Sequence, residues 1–174
     1  MLTADSEHVV PRSMRAAVYR GDGKIAVESV PTPQPGPGEI LVRVESCGIC
    51  HTDLKKVEHD LLPPPRIFGH ETAGVVAAIG QGVDQFKVGE GVAVFHHIPC
   101  SSCFYCHRKL YAQCQTYKRV GVTAGYEPAG GGFSEYVRVM DWIVRRGVVR
   151  IPDGVPMDRA CLIEPLNTCL KAVD

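Results

Sequence analysis

The chain has 174 residues, enough for one domain with a genuine core, and its 45% hydrophobic and 22% charged content is that of an ordinary globular protein. Basic and acidic residues number 19 each, so no bulk field draws nucleic acid or anionic membrane to it. No apolar run is long enough to span a bilayer, and Met1–Glu7 has neither a basic n-region nor an apolar stretch, so a cytoplasmic chain is expected.

Residues 1–13 are polar and aperiodic and read as a loose tail, with Met14 an alternative start. Met14–Arg20 and Lys24–Val30 read as two strands joined by a turn at Gly21-Asp22-Gly23. Pro31–Gly38 holds four prolines and two glycines and is a loop. Glu39–Ser46 sets Ile40, Val42 and Val44 against Leu41, Arg43 and Glu45, a strand pattern that delivers Cys50 at its end. A short helix is expected over Leu54–His59, stopped by Pro63-Pro64-Pro65, with Thr52 or Asp53 as its N-cap. Strands follow at Glu71–Ile79, bent at Gly74, and at Val88–Phe95. After a cysteine-rich lobe come a turn at Gly130-Gly131-Gly132 and strands near Phe133–Val139 and Val148–Ile151. From Val155 to Asp174 the spacing of Met157, Ala160, Cys161, Leu166, Leu170 and Val173 is helical, with Pro165 expected to interrupt it. The pattern has no C-terminal glycine signal and suggests a cut at Asp174. The 18 glycines and 13 prolines point to many turns, hence a β-rich fold.

Eight cysteines carry the chemistry, and in a reducing compartment clustered cysteines hold metal more often than they form disulfides. Cys100-x2-Cys103-x2-Cys106-x7-Cys114 can wrap four thiolates around one Zn²⁺ with no open position, which makes a structural site. An iron–sulfur cluster is the rival, but the ferredoxin run has a shorter last spacer and a proline after the fourth cysteine, where Gln115 stands. Cys50 and His70 form a mixed sulfur–nitrogen pair, with Asp53 placed to accept the free ring N–H of His70 and Thr52 to offer a hydroxyl. A packed His beside a Cys is the plainer reading of that pair. His96, His97 and His107 border the lobe and read as solvent-facing. His8 and His59 have no evident partner.

Cys47-Gly48-Ile49-Cys50-His51-Thr52-Asp53 resembles the catalytic-zinc segment of the zinc-containing medium-chain alcohol dehydrogenases. Gly69-His70-Glu71-x2-Gly74-x5-Gly80-x2-Val83 is similar to that family's zinc signature at every specified position. The four-cysteine lobe resembles its structural zinc site. Leu162-Ile163-Glu164-Pro165-Leu166 is similar to a segment of its sorbitol- and threonine-type members. The resemblance implies a mostly β, GroES-like, partly open barrel over residues 14–155, bearing a zinc lobe. Residues 156–174 would form a helix leading toward a nucleotide-binding domain.

The resemblance also implies two Zn²⁺: a catalytic ion on Cys50, His70 and either Glu71 or Glu164, and a structural ion on Cys100, Cys103, Cys106 and Cys114. Cys161 and Cys169 lie near Glu164, where ethanol-type members use a thiolate. Thr52 resembles the hydroxyl that opens the proton relay, and His51 the basic residue facing the cofactor pyrophosphate. Lys55 stands where many members carry the relay histidine. The implied reaction is oxidation of an alcohol or polyol, with hydride passing to NAD(P). A homo-oligomer of the full-length form is also implied. A strand–G-x-G-x-x-G–helix unit does not occur in the 174 residues, and Gly130-Gly131-Gly132 has the wrong spacing for one. The expectation is therefore an N-terminal zinc domain, inactive alone, with a stand-alone zinc-binding or interaction module as the alternative.

Overall fold

The computed structural model describes residues 9–126 and 128–173. A two-stranded sheet pairs β1 (Ser13–Gly21) with β2 (Lys24–Pro31), antiparallel, and the left-handed residues of its hairpin are Gly21, Asp22 and Gly23. A curled six-stranded sheet has the order β6-β7-β3-β4-β5-β8, with β3 at Ile40–Gly48, β4 at Glu71–Ile79, β5 at Gly91–Val94, β6 at Val122–Thr123, β7 at Tyr136–Val139 and β8 at Val148–Arg150. Every pairing in it is antiparallel. The fold is the expected mostly-β half-barrel carrying a cysteine lobe and ending in a helix.

Residues 1–8 of the expected tail, His8 among them, lie outside the described residues. Nearer the first strand, Val10 packs on the core and the Arg12 carbonyl accepts from Thr32 N–H at 3.0 Å.

β3 buries both faces where the sheet curls. Ile40 and Val42 enter a cluster with Val76, Val92, Val137 and Ile143, while Leu41 enters another with Met14, Val18, Val30 and Ile67. Each such side chain removed from water contributes about 1.5–3 kcal/mol, so the middle of this sheet anchors the fold. The alternation expected for β3 is therefore lost over Ile40–Val42, all buried, and Glu45 is the one exposed residue of the strand. β5 and β7 are shorter than the apolar runs Val88–Phe95 and Phe133–Val139 suggested, although backbone hydrogen bonds to β4 and β3 continue at Gly89, Glu90 and Glu135.

The helices are short: α1 (His51–Glu58), α2 (Phe104–His107), α3 (Gln115–Lys118), α4 (Asp141–Val144), α5 (Met157–Ala160) and α6 (Ile163–Val173). A 3-10 turn at Tyr111–Gln113 lies between α2 and α3. Strand β6 and helix α4, of two and four residues, are too short to show a period and were not expected. Pro165 does not interrupt a helix. It sits in the first turn of α6, where its missing N–H has no intrahelical partner to lose, and the break falls before Ile163.

Candidate metal centre

The register of β3 against β4 sets Gly48 opposite Glu71 and Cys47 opposite Thr72. Cys50, two residues past the end of β3, is thereby carried to His70 and Glu71 at the start of β4. One ligand atom from each of Cys50, His70 and Glu71 lies within 4.8 Å of the others. Gly48 is required by the close approach: a Cβ there would stand 1.9 Å from Glu71 Oε2. The backbone before His70 turns through Gly69 at φ +94° and pairs with the glycine-rich turn, where a Cβ on Gly130 would meet the Gly69 carbonyl at 2.2 Å.

α1 starts earlier than expected, and its N-cap is Cys50 rather than Thr52 or Asp53. The reason is Asp53, which reaches back from the first turn to accept from Cys50 N–H at 3.2 Å. The same carboxylate accepts from Gly69 N–H at 3.4 Å and from His70 Nδ1 at 3.2 Å, and Lys56 Nζ lies 3.9 Å away. Asp53, only 2% exposed, thus ties the Cys50 segment to the Gly69–His70 segment. With Nδ1 committed to Asp53, the other ring nitrogen of His70 is the one left to ligate.

The titrating groups follow from this geometry. Burial opposes ionisation of Asp53, but His70 and Lys56 outweigh it and hold the carboxyl below its ordinary range. Burial likewise disfavours charged His70, yet the Asp53 carboxylate wins and raises its pKa. The Cys50 thiol is held low despite burial, through hydrogen bonds from Thr52 and from His70; Thr52 Oγ1 lies 3.4 Å from the sulfur. A thiol eased toward thiolate, an oriented imidazole and a carboxylate form a donor set that suits Zn²⁺.

Glu164, in the first turn of α6, lies outside that group of three. Burial raises its pKa, as do the charges of Glu71 and Asp53, against the opposing charge of His70. His51 and Thr52 are exposed at the start of α1. Cys161 is buried and takes a hydrogen bond from Ser46 Oγ at 3.4 Å; Cys169 is exposed.

The sequence reading missed His96 and His97. Rather than facing solvent they are half-buried and in ring contact: His70 to His96 at 4.6 Å between centroids and His96 to His97 at 4.2 Å, both tilted, and His97 stacked on Tyr117 at 5.3 Å. Burial pushes the His96 pKa down to about 2. Their position directly after β5, beside the first lobe cysteine, was the available signal. His107 is exposed, as expected.

The four lobe cysteines also converge, all within 4.8 Å of one another. Cys100 Sγ lies 3.9 Å from Cys106 Sγ and 3.7 Å from Cys114 Sγ. Those separations are far above a disulfide's S–S bond of about 2.05 Å. They match the edge of about 3.8 Å that a tetrahedron with Zn–S near 2.3 Å requires.

Two clusters of metal-ligating side chains thus sit on the half-barrel, Cys50–His70–Glu71 and the four lobe cysteines. The alcohol dehydrogenase GroES-like domain family matches residues 36–153, and the chain belongs to it. It is similar to sorbitol dehydrogenase of Bacillus subtilis, 34% identical over 95% of this chain and 46% of that protein. It is also similar to L-threonine 3-dehydrogenase of Pyrococcus horikoshii, 39% identical over 88% of this chain and 42% of that protein. The structure of acetophenone reductase from Geotrichum candidum in complex with NAD superposes with TM-score 0.76 at 31% identity, over 94% of this chain and 49% of that one. The chain thus spans less than half the length of these relatives, all of them oxidoreductases. No helix among the described residues is long and apolar enough to cross a membrane.

Proposed function

We propose that the chain is the catalytic zinc domain of a zinc-dependent, NAD(P)-dependent dehydrogenase that oxidises a secondary alcohol or polyol. The observation that carries this reading is the convergence of Cys50, His70 and Glu71 within 4.8 Å, with Asp53 holding the histidine ring. Cys50, His70 and Glu71 would hold a catalytic zinc, with Glu164 as the alternative carboxylate, and Cys100, Cys103, Cys106 and Cys114 a structural one. When bound, the catalytic ion supplies Lewis acidity that lowers the pKa of an alcohol hydroxyl.

The protein's own residues do the rest. Asp53 orients His70, and Thr52, exposed beside Cys50, carries the hydroxyl proton toward solvent. His51, on the same turn, faces the cofactor pyrophosphate. The 174 residues contain no G-x-G-x-x-G, so nucleotide binding and turnover fall to a separate domain reached through residues 156–174. Residues 14–155 form the zinc-bearing unit, and the full-length form is a cytoplasmic homo-oligomer.

Elemental analysis of the purified chain is expected to return two zinc per molecule. One ion, in the lobe alone, would refute the catalytic assignment. The missing nucleotide fingerprint favours a second reading, a stand-alone zinc-binding module. Titration of the gene's natural product with NADH separates the two: binding with activity supports the dehydrogenase, and neither supports the module.

A further inference from the structure

Helix α1 carries two adjacent lysines and turns them to different surroundings. Lys55 is exposed, while Lys56 is half-buried and lies one turn after Asp53 on the same helix face. The Lys56 Nζ stands 3.9 Å from Asp53 Oδ1 and 5.5 Å from the centroid of the Phe68 ring, within cation–π range. Phe68 and Asp53 are each only 2% exposed. The ammonium therefore sits where α1 meets the segment that carries His70.

Asp53 Oδ1 is also the oxygen that faces His70 Nδ1 at 3.2 Å, so cation and imidazole share one acceptor atom. The N–H groups of Cys50 and Gly69, at 3.2 and 3.4 Å, already aim the carboxylate. At 3.9 Å Lys56 is too far for a hydrogen bond, so it is not what directs Asp53. What Lys56 adds is charge. After burial and the pairing with His70, its charge is the next influence on Asp53, and it also reaches His70, where it opposes the carboxylate. A buried carboxylate with no cation beside it draws hard on the ring N–H it accepts, because linked hydrogen bonds polarise one another.

We propose that Lys56 is a positioning residue of the mixed centre, acting through Asp53: its charge on the shared oxygen limits how far the carboxylate draws the Nδ1 proton of His70. The inference rests on the dehydrogenase reading of the Cys50–His70–Glu71 centre. A ring whose Nδ1 proton is strongly drawn becomes a more anionic donor through its other nitrogen, and hydrogen-bond partners behind a ligand tune a metal centre in this way. Lys56 keeps the donor close to a neutral imidazole, so a bound ion retains the acidity that alcohol activation needs. Lys55, on the exposed side of the helix, has no such part.

The test uses the zinc-loaded chain with ¹⁵N-labelled histidine and follows the His70 Nδ1–H proton, whose resonance moves downfield as its hydrogen bond to Asp53 strengthens. Lys56→Met keeps an apolar stem over Phe68 and removes the charge. The signal is expected to move downfield, with both zinc ions retained. Lys56→Gln, a second neutral variant, is expected to do the same. Lys56→Arg returns the cation and is expected to bring the signal back to the parent position, a rescue that packing alone would not give. Lys55→Met is expected to leave it unmoved. Neutral variants with the signal at the parent position, an arginine variant displaced like the neutral ones, or neutral variants that both unfold or lose the zinc at Cys50 and His70 overturn this inference and leave the dehydrogenase reading standing. A parent chain that takes no zinc at Cys50 and His70 overturns both.

Discussion

The two metal centres teach different lessons about how a chain builds a binding site. The lobe gathers four sulfurs from residues 100–114, a stretch with no strand and only short helical turns. Its ligands sit so close in sequence that the metal itself can organise the loop. The mixed centre draws Cys50 from a helix cap and His70 and Glu71 from the start of β4, and it is prearranged by the sheet register and by Asp53. One cluster is a closed set of four like donors, and the other brings three unlike donors together.

The sharpest break between them is made in the lobe. Cys106→Ser removes a buried thiolate from a closed tetrahedron, and structural zinc contributes about 10–16 kcal/mol in comparable small domains. The expected result is loss of one zinc per chain and a large fall in melting temperature, read by elemental analysis and calorimetry, with Cys50 and His70 still able to hold theirs.

His70→Ala attacks the other side of the comparison. It leaves the buried Asp53 carboxylate with Lys56 as its remaining charged neighbour, a change that costs about 3–5 kcal/mol when one member of a buried pair is deleted. The mixed centre should lose its zinc while the lobe keeps its own. Chemical denaturation and zinc counting together check this, and retention of two ions would count against the ligand assignment.

Asp53→Asn is milder and sharpens the contrast through pH. It is expected to weaken zinc at the mixed centre about 10–100-fold and to leave the lobe unchanged. Zinc requires neutral His70, whose pKa Asp53 raises above the ordinary 6.5, so affinity at this centre falls as pH drops through that raised value. The asparagine variant should show its proton competition at lower pH, measured by zinc titration across pH 5–8. In the metal-free chain the linkage runs otherwise. The share of stability from His70 is present below 6.5 and lost as pH rises through its raised pKa, while that from Asp53 is present above 3.8 and lost as pH falls through its lowered one.

Much of this was legible beforehand for identifiable reasons. The strand at Glu71–Ile79 matched its apolar run residue for residue, because one strand buried along most of its length leaves a continuous signature. The lobe was legible from spacing alone, and Asp53 from lying three positions after Cys50. Helix α1 began earlier than propensity implied because a carboxylate bond to the Cys50 N–H, a tertiary requirement of the site, nucleates it. His96 and His97 looked like surface residues because nothing local records that the rings of His70 and Tyr117 pack against them.

The sequence by itself determined the donor types, the family and the β-rich class, since these depend on residue identity, short spacings and composition. Only the tertiary structure decided that Glu71 stands with Cys50 and His70 while Glu164 lies outside that group, and that two histidines line a cavity together with α6. Those facts follow from strand register and helix placement, which bring together residues far apart along the chain.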